Sequence, residues 1–193
     1  CRTIKGVISD FCRSLKMEQV LDLFLKEAEA SDAQSLLEFF KDVATESDFT
    51  TLAPEGLGMT KQELEIFVEK QAQTDNQLCL LLYLGEDLVG VLNIVADQNR
   101  VLRHIGELFI VIRKEYWNKG LGRLLLEEGI AWAEGTNLLR KLDLSVRVRN
   151  ERAIHLYQTL GFEIEGLRKR GVYKEGEYLD VYLMGKLIDG QNQ

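Results

Sequence analysis

The chain has 193 residues, of which 46% are hydrophobic and 28% are charged, and its formal net charge at pH 7 is −7. An apolar content this high at this length supports a buried core and excludes an intrinsically disordered chain. The acidic balance disfavours a protein that binds nucleic acid or anionic membranes through broad charge attraction.

The cysteine pattern and the hydropathy pattern predict a cytoplasmic protein. Cys1, Cys12 and Cys79 are odd in number and form no C-x-x-C pair, which favours a reducing compartment over a disulfide framework. No apolar run reaches the roughly 18 residues of a membrane helix. Charged residues interrupt every candidate signal sequence near the N-terminus.

The first third of the domain predicts a strand and two helices. Residues 20–26 alternate with period two, as a strand does. A Ser-x-x-Gln capping box at residues 31–34 opens a helix whose apolar positions continue to residue 44. The polar segment 45–59 carries one proline and two glycines and predicts a loop. A second capping box, Thr-x-x-Glu at residues 60–63, opens the next helix.

The remaining segments complete a mixed architecture. In order they predict strands at 78–84 and 88–95 joined as a hairpin, a strand at 104–112, a helix at 123–134, a strand at 141–148, a helix capped by Asn150 and ended by Gly161, and antiparallel strands at 162–167 and 178–187. This order predicts one α+β domain over residues 20–188, with a mixed central sheet and helices on both faces. Residues 1–19 are expected to form an extension of unclear role, and residues 189–193 a polar tail.

The segment 113–123 carries the clearest chemical signal. Gly120 and Gly122 permit backbone angles and close approaches that a Cβ forbids. The first turn of the following helix offers backbone N–H groups without an intrahelical partner, and these groups form an anion site with the helix dipole. The segment holds four basic residues against one acidic residue. It therefore predicts a binding site for a compact phosphate-bearing ligand.

Two common nucleotide motifs do not fit this segment. The chain contains no G-x-x-x-x-G-K-[ST] run, which excludes a P-loop. The dinucleotide-binding fingerprint needs a third glycine where Leu125 stands, and its β-α-β unit should open the fold. A nucleotide-binding oxidoreductase is therefore the weaker alternative.

Three stretches resemble the GNAT acetyltransferases. YWNKGLGRLLL, at residues 116–126, resembles their coenzyme A pyrophosphate loop, whose pattern is [QR]-x-x-G-x-[GA]. VRVRNERAIHLYQTLGF, at residues 146–162, is similar to their second signature, N-x-x-A-x-x-L-Y-x-x-x-G-F. Residues 163–184 resemble the closing strands of the branch that modifies protein N-termini and small amines. One position departs from the pattern: Trp117 replaces the [QR] residue and leaves one fewer side-chain donor for the pyrophosphate.

The resemblance implies a GNAT-like domain that transfers an acetyl group from acetyl-coenzyme A to a primary amine. The acceptor is a small molecule or a protein, and the amine attacks directly in a ternary complex. A non-catalytic coenzyme A-binding or sensor module is the alternative. No metal is expected, nor any nucleic-acid or membrane partner. The exposed final strands predict a homodimer.

Two side chains are the candidate catalytic residues. An alkyl amine has a pKa of about 10.4, so it must lose a proton before it attacks. Glu107 is the expected proton acceptor, unless it is an edge carboxylate that is merely solvated. By the resemblance, Tyr157 is the phenol that hydrogen-bonds or protonates the departing thiolate, although a core tyrosine would fit the same helix face.

The resemblance also assigns the binding residues. The expected contacts of the coenzyme are Ile110, Val111, Ile112, Trp117, Asn118, Lys119, Gly120, Leu121, Gly122, Arg123, Asn150, Ala153 and Tyr157. The acceptor is expected to contact Glu46, Asp48, Phe49 and Glu107. A group of basic residues is expected to be solvated, ion-paired or near the 3′-phosphate of the coenzyme: Arg140, Lys141, Arg147, Arg149 and Arg152.

Overall fold

The computed structural model describes residues 2–3 and 23–188. From residue 23 onward it confirms the predicted order of helices and strands, but a strand at Arg2–Thr3, which pairs with the first predicted strand, was not expected. The helices are α1 (Ala33–Glu46), α2 (Lys61–Ala72), α3 (Leu121–Gly135) and α4 (Glu151–Thr159). The strands are β1 (Arg2–Thr3), β2 (Leu23–Glu27), β3 (Leu78–Leu84), β4 (Asp87–Ala96), β5 (Ile105–Ile112), β6 (Lys141–Arg147), β7 (Glu163–Lys174) and β8 (Glu177–Leu187). Short 3₁₀ helices precede α1 and follow β5, at Ala30–Asp32 and Lys114–Tyr116.

The strands form one mixed sheet in the order β1-β2-β3-β4-β5-β6-β8-β7. Every neighbouring pair is antiparallel except β5 and β6, which are parallel. A parallel pair needs a crossover connection, and the chain between these two strands supplies it with α3. The predicted mixed α+β domain is therefore confirmed.

Helices cover both faces of the sheet, as predicted. The face covered by α1 and α2 presents buried side chains such as Leu81 and Val91 of the central strands. The face covered by α3 and α4 presents Leu92, Ile94 and Leu108. The alternation along each strand produces this division, because successive side chains point to opposite faces. We call these the α1 face and the α3 face.

The capping box predicted at residues 31–34 is wrong. A 3₁₀ turn comes first, and the Asp32 carboxylate caps the start of this turn by accepting a hydrogen bond from the backbone N–H of Glu29 at 2.9 Å. Lys26 reaches the same carboxylate at 2.7 Å. The α-helix therefore begins at Ala33, and it continues to Glu46, past the predicted start of the loop.

The capping box at residues 60–63 is confirmed. The Thr60 hydroxyl accepts from the backbone N–H of Glu63 at 3.3 Å, and the Glu63 carboxylate accepts from the N–H of Thr60 at 2.8 Å. Apart from Arg2–Thr3, the predicted extension 1–19 lies outside the described residues, as do the start of the strand predicted at 20–26 and the tail 189–193. No helix in the described part of the chain has the length and apolar character needed to span a membrane.

Candidate active site

A cleft opens where the two parallel strands separate. β5 and β6 are paired at three positions, the last of which joins Glu107 and Asp143. Beyond this point β5 stays with β4 as far as Ile112, and β6 stays with β8 as far as Arg147. The space between the two strands is a cleft of about 600 Å³, and residues from both faces of the sheet line it.

The two ends of the cleft carry different side chains. Tyr157, Leu144 and Val146 belong to the core on the α3 face. By strand alternation, Glu107 shares the α1 face with Phe109, and Arg147 lies on the same face. The cleft therefore passes through the sheet and connects the α3 face, where Tyr157 lies, with the α1 face, where Glu107 lies.

The glycine loop shapes the start of α3. Asn118 and Gly120 both have positive φ, at 61° and 83°. Gly120 is the N-cap, and no side chain of the described residues caps the helix. Within the described ranges, no acceptor reaches the backbone N–H groups of Leu121, Gly122 and Arg123, whereas the next N–H bonds to the Gly120 carbonyl at 3.0 Å. These three donors and the helix dipole form an anion site at the cleft.

The edge of β5 presents backbone groups to the cleft. The N–H of Arg113, the residue after β5, donates to the Val89 carbonyl at 2.9 Å. Successive residues of a strand direct their backbone groups to opposite edges, so Ile110 and Ile112 direct theirs towards the gap left by β6. The Ile112 carbonyl accepts from the Trp117 indole, and the other groups of Ile110 and Ile112 have no partner among the described residues, so an extended ligand can pair with them as a neighbouring strand would.

Trp117 uses its indole group inside the protein. Its Nε1–H donates to the Ile112 carbonyl at 2.7 Å, so this N–H is engaged. The guanidinium of Arg152 lies 4.0 Å from the centre of the indole ring, and the Phe49 ring lies 6.5 Å from it. Trp117 therefore fixes the loop against the strand end, and its indole N–H is not available to a pyrophosphate.

Tyr157 lies on α4 at the inner end of the cleft. It is buried, and its ring packs edge-on against Phe162 with the ring centres 5.9 Å apart. Burial raises the pKa of its phenol to about 12. No other described residue hydrogen-bonds to its hydroxyl. The group is therefore protonated at neutral pH and free to donate.

The predicted acceptor residues divide between two places. Glu107 is exposed and lines the cleft, as do Glu46 and Phe49. Glu46 is already engaged: it accepts from the backbone N–H of Lys114 at 2.6 Å, and its other oxygen lies 3.5 Å from Arg113. Asp48 does not line the cleft, and its carboxylate lies 3.9 Å from Arg149 beside a smaller pocket.

Arg147 departs from the expectation for the basic residues. It is only 3% exposed, and within the described ranges no carboxylate lies within 4.0 Å of it. Burial, with the nearby charge of Arg149, lowers the pKa of its guanidinium. One nitrogen donates to the Thr50 carbonyl at 3.0 Å. Sequence reasoning missed this burial because the covering segment comes from a distant part of the chain.

The other predicted coenzyme residues lie around the cleft with one exception. Leu121, Val111, Asn118 and Ala153 line it, and the Asn150 side chain caps α4 by accepting from the Ala153 N–H at 3.3 Å. Two side chains have protein partners of their own. Arg123 donates to the Thr159 hydroxyl at 2.7 Å, and Lys119 lies outside the cleft, 5.2 Å from the Tyr116 ring centre. His155 is exposed at the cleft rim.

The site fits coenzyme A. The three unpartnered N–H groups at the start of α3 suit a pyrophosphate, and the free edge of β5 suits the amides of the pantetheine arm. In the part of the chain that the structure describes, no group of three or more His, Cys, Asp or Glu side chains could hold a metal ion.

Comparison with known proteins agrees with this geometry. The sequence profile of the acetyltransferase (GNAT) family matches residues 35–162. A GNAT-family acetyltransferase structure from Streptococcus pneumoniae is 53% identical with a TM-score of 0.84, covering 87% of this chain and all of that one.

Two curated relatives have named substrates. An L-amino acid N-acetyltransferase of Escherichia coli K12 is 32% identical over 56% of this chain and 67% of its own length. A spermidine N(1)-acetyltransferase of the same strain is 29% identical over 63% of this chain and 64% of its own length. With the cleft and the family match, these likenesses show that the chain belongs to the GNAT acetyltransferase family and is an acetyl-coenzyme A-dependent N-acetyltransferase.

Proposed function

We propose that this chain acetylates the primary amine of a small molecule, by direct attack of the amine in a ternary complex. The observation that carries the proposal is the cleft through the sheet, which is open to Tyr157 on one face and to Glu107 on the other. Two substrates that enter from opposite faces meet inside it. The relatives named for amino acids and spermidine support a small amine as the acceptor.

The coenzyme half of the cleft acts mainly through backbone groups. When bound, acetyl-coenzyme A supplies the acetyl thioester. The N–H groups of Leu121, Gly122 and Arg123 hold the pyrophosphate. The edge of β5 at Ile110 and Ile112 aligns the pantetheine arm, and an N–H of this edge stabilises the negative charge that develops on the acetyl oxygen.

Tyr157 is the proton donor of the proposed reaction. Its raised pKa, caused by burial, keeps the phenol protonated throughout the physiological range. Because no described residue bonds to it, the Tyr157 hydroxyl is available to the sulfur atom that leaves the acetyl group. The phenol thereby hydrogen-bonds or protonates the thiolate as it forms.

Glu107 is the proposed proton acceptor. The acceptor amine arrives largely as an ammonium ion, because the pKa of an alkyl amine is about 10.4. An exposed carboxylate at the acceptor end of the cleft attracts the cation, and it removes the proton directly or through a water molecule. The neutral amine then attacks.

The test is an acetylation assay with a panel of primary amines. Purified protein is incubated with acetyl-coenzyme A and each amine, and both free thiol and N-acetyl product are measured. We expect equal amounts of the two with at least one small amine. Tight coenzyme binding without product from any amine would contradict the proposal and favour a non-catalytic module.

We also propose a homodimer that forms through the β7–β8 hairpin. Large apolar side chains are exposed on these strands, and the rings of Tyr173 and Tyr178 lie 4.9 Å apart on the surface. Unpaired strand edges with apolar side chains are typical of association surfaces. Sedimentation equilibrium should give twice the monomer mass, and a monomer at assay concentration would contradict the dimer. The cytoplasmic location stays a prediction.

A further inference from the structure

Arg147 presents a buried positive charge on the acceptor side of the cleft. It lines both the cleft and a smaller neighbouring pocket of about 170 Å³. Its Nη2 donates to the Thr50 carbonyl, whereas Nε and Nη1 are buried without a hydrogen-bond partner. Thus two of the three guanidinium nitrogens lack an acceptor among the described residues.

This arrangement is costly without a further partner. A buried charge is stable only when it is paired or fully hydrogen-bonded. Two described carboxylates act on Arg147 without pairing with it: Asp48 lies beside Arg149, and Glu175 is exposed at the hairpin turn. Both attract the guanidinium from beyond ion-pair distance. The described residues thus leave the Arg147 guanidinium without a close counterion.

A second donor lies on the same wall. Ser145 precedes Arg147 by two residues, so the two side chains share the α1 face of β6. Ser145 is exposed, lines the cleft, and has no side-chain partner among the described residues. A guanidinium and a hydroxyl on one wall form a seat for a carboxylate, and Glu107 lines the same cleft from β5, where its register partner on β6 is Asp143.

We infer that Arg147 selects acceptors that carry an anionic group, a carboxylate, in addition to the reacting amine. The inference rests on the proposed function and narrows it to a substrate class. The amine lies at Glu107 on one wall of the cleft, and the carboxylate lies at Arg147 and Ser145 on the other. A polyamine places only positive charge there, so Arg147 disfavours it.

The acceptor reaches Arg147 by displacing the segment that covers it. Nε and Nη1 are shielded from solvent, and a single hydrogen bond, from Nη2 to the Thr50 carbonyl, fastens that segment to the guanidinium. A carboxylate that replaces this carbonyl gains a charge-assisted and bidentate partner. The carboxylate of the substrate thus replaces the neutral Thr50 carbonyl as the hydrogen-bond partner of the guanidinium.

The test compares matched acceptors that differ only in charge. We measure kcat/KM for the standard L-amino acids, for their carboxamides and for spermidine, with the unmodified chain and with Arg147→Gln. The unmodified chain should prefer the best amino acid over its carboxamide by about 10- to 100-fold, the worth of a charge-assisted hydrogen bond. Arg147→Gln should abolish this preference, because the amino acid loses a charged hydrogen-bond partner whereas the carboxamide loses much less.

Two further variants separate selection from structural support. Arg147→Lys keeps the charge and should retain part of the preference, whereas Arg100→Gln, at an exposed turn outside the cleft, should leave it unchanged. If Arg147→Gln lowers kcat/KM by the same factor for the amino acid and for its carboxamide, the inference is overturned. Arg147 would then only support the Thr50 segment structurally. Equal or better use of carboxamides or spermidine by the unmodified chain would also overturn it, with the proposed function intact. No transfer to any acceptor would overturn both together.

Discussion

The coenzyme half of the cleft is built from backbone groups of two adjacent segments, whereas the acceptor half takes single side chains from distant parts of the chain. Only a short 3₁₀ helix and the glycine loop separate the end of β5 from the start of α3, and a glycine at φ 83° joins the loop to the helix. On the acceptor side, Arg147 meets Thr50 across 97 residues. Backbone recognition is thus encoded locally, and side-chain recognition depends on how the chain is assembled.

The largest expected effect tests the backbone half directly. Gly120→Val should weaken acetyl-coenzyme A binding by about 1,000-fold, the worth of several charge-assisted hydrogen bonds. A β-branched residue is strained at positive φ and its side chain obstructs the phosphate. Calorimetric titration with the coenzyme measures the loss.

Gly135→Ala is the matched control, at the other end of α3. A Cβ meets nothing within 4 Å at either glycine, but Gly135 does not have positive φ. The affinity of Gly135→Ala for acetyl-coenzyme A should equal that of the unmodified chain. Normal coenzyme binding by Gly120→Val would remove the glycine loop from the site.

Removal of the Tyr157 hydroxyl should affect chemistry and leave binding unchanged. Tyr157→Phe should lower kcat by about 100-fold, because a positioned proton donor contributes at least that much. The coenzyme affinity should stay within about twofold, since a neutral phenol contributes little to ground-state binding. Steady-state kinetics and calorimetry measure the two quantities.

The pH dependence of stability provides an independent check of Tyr157 burial. The phenol pKa rises from its ordinary value of 10.0 to about 12 in the fold, so the unfolded chain loses this proton first. The contribution of the protonated phenol to the unfolding free energy is complete below pH 10 and is lost as the pH rises towards 12. Between pH 10 and 12, the unfolding free energy of Tyr157→Phe should therefore fall less than that of the unmodified chain. A parallel decline in both proteins would contradict the raised pKa.

A similar effect on rate is expected from the acceptor half. Glu107→Gln should lower kcat/KM at pH 7 by about 100-fold, because the variant must use the small fraction of amine that is already deprotonated. Its rate should recover as the pH rises towards the pKa of the amine. Glu163→Gln, on exposed β7, is the control. A rate defect that is the same at every pH would assign Glu107 a binding role instead.

The smallest effect sharpens the description of the loop. Trp117→Phe keeps an aromatic ring for Arg152 but removes the hydrogen bond to the Ile112 carbonyl. We expect a loss of about 1 kcal/mol in the unfolding free energy. Urea denaturation measures it, with Trp132→Phe as the control because no described residue accepts a hydrogen bond from that indole. Equal stability of the two variants would contradict a structural role for the Trp117 indole N–H.

Local features were predictable where neighbouring residues decide them. The cap of α2 at Thr60 and the cap of α4 at Asn150 are confirmed because each bond closes within three residues. The capping box predicted at residues 31–34 is wrong because Asp32 accepts a hydrogen bond from the Glu29 N–H and forms an ion pair with Lys26 of the preceding strand. The departure at Trp117 was visible in the sequence, but its partner, the Ile112 carbonyl, was not.

The amino-acid sequence alone determined the glycine loop, the alternation of the strands and the family, since each depends on residues close together in the chain. Tertiary structure alone decided where β5 parts from β6, that Glu46 is already engaged, and that Arg147 is buried under Thr50. Periodicity tells which face a side chain takes, but not what covers that face. The covering segment is fixed only when the whole sheet and its helices have packed.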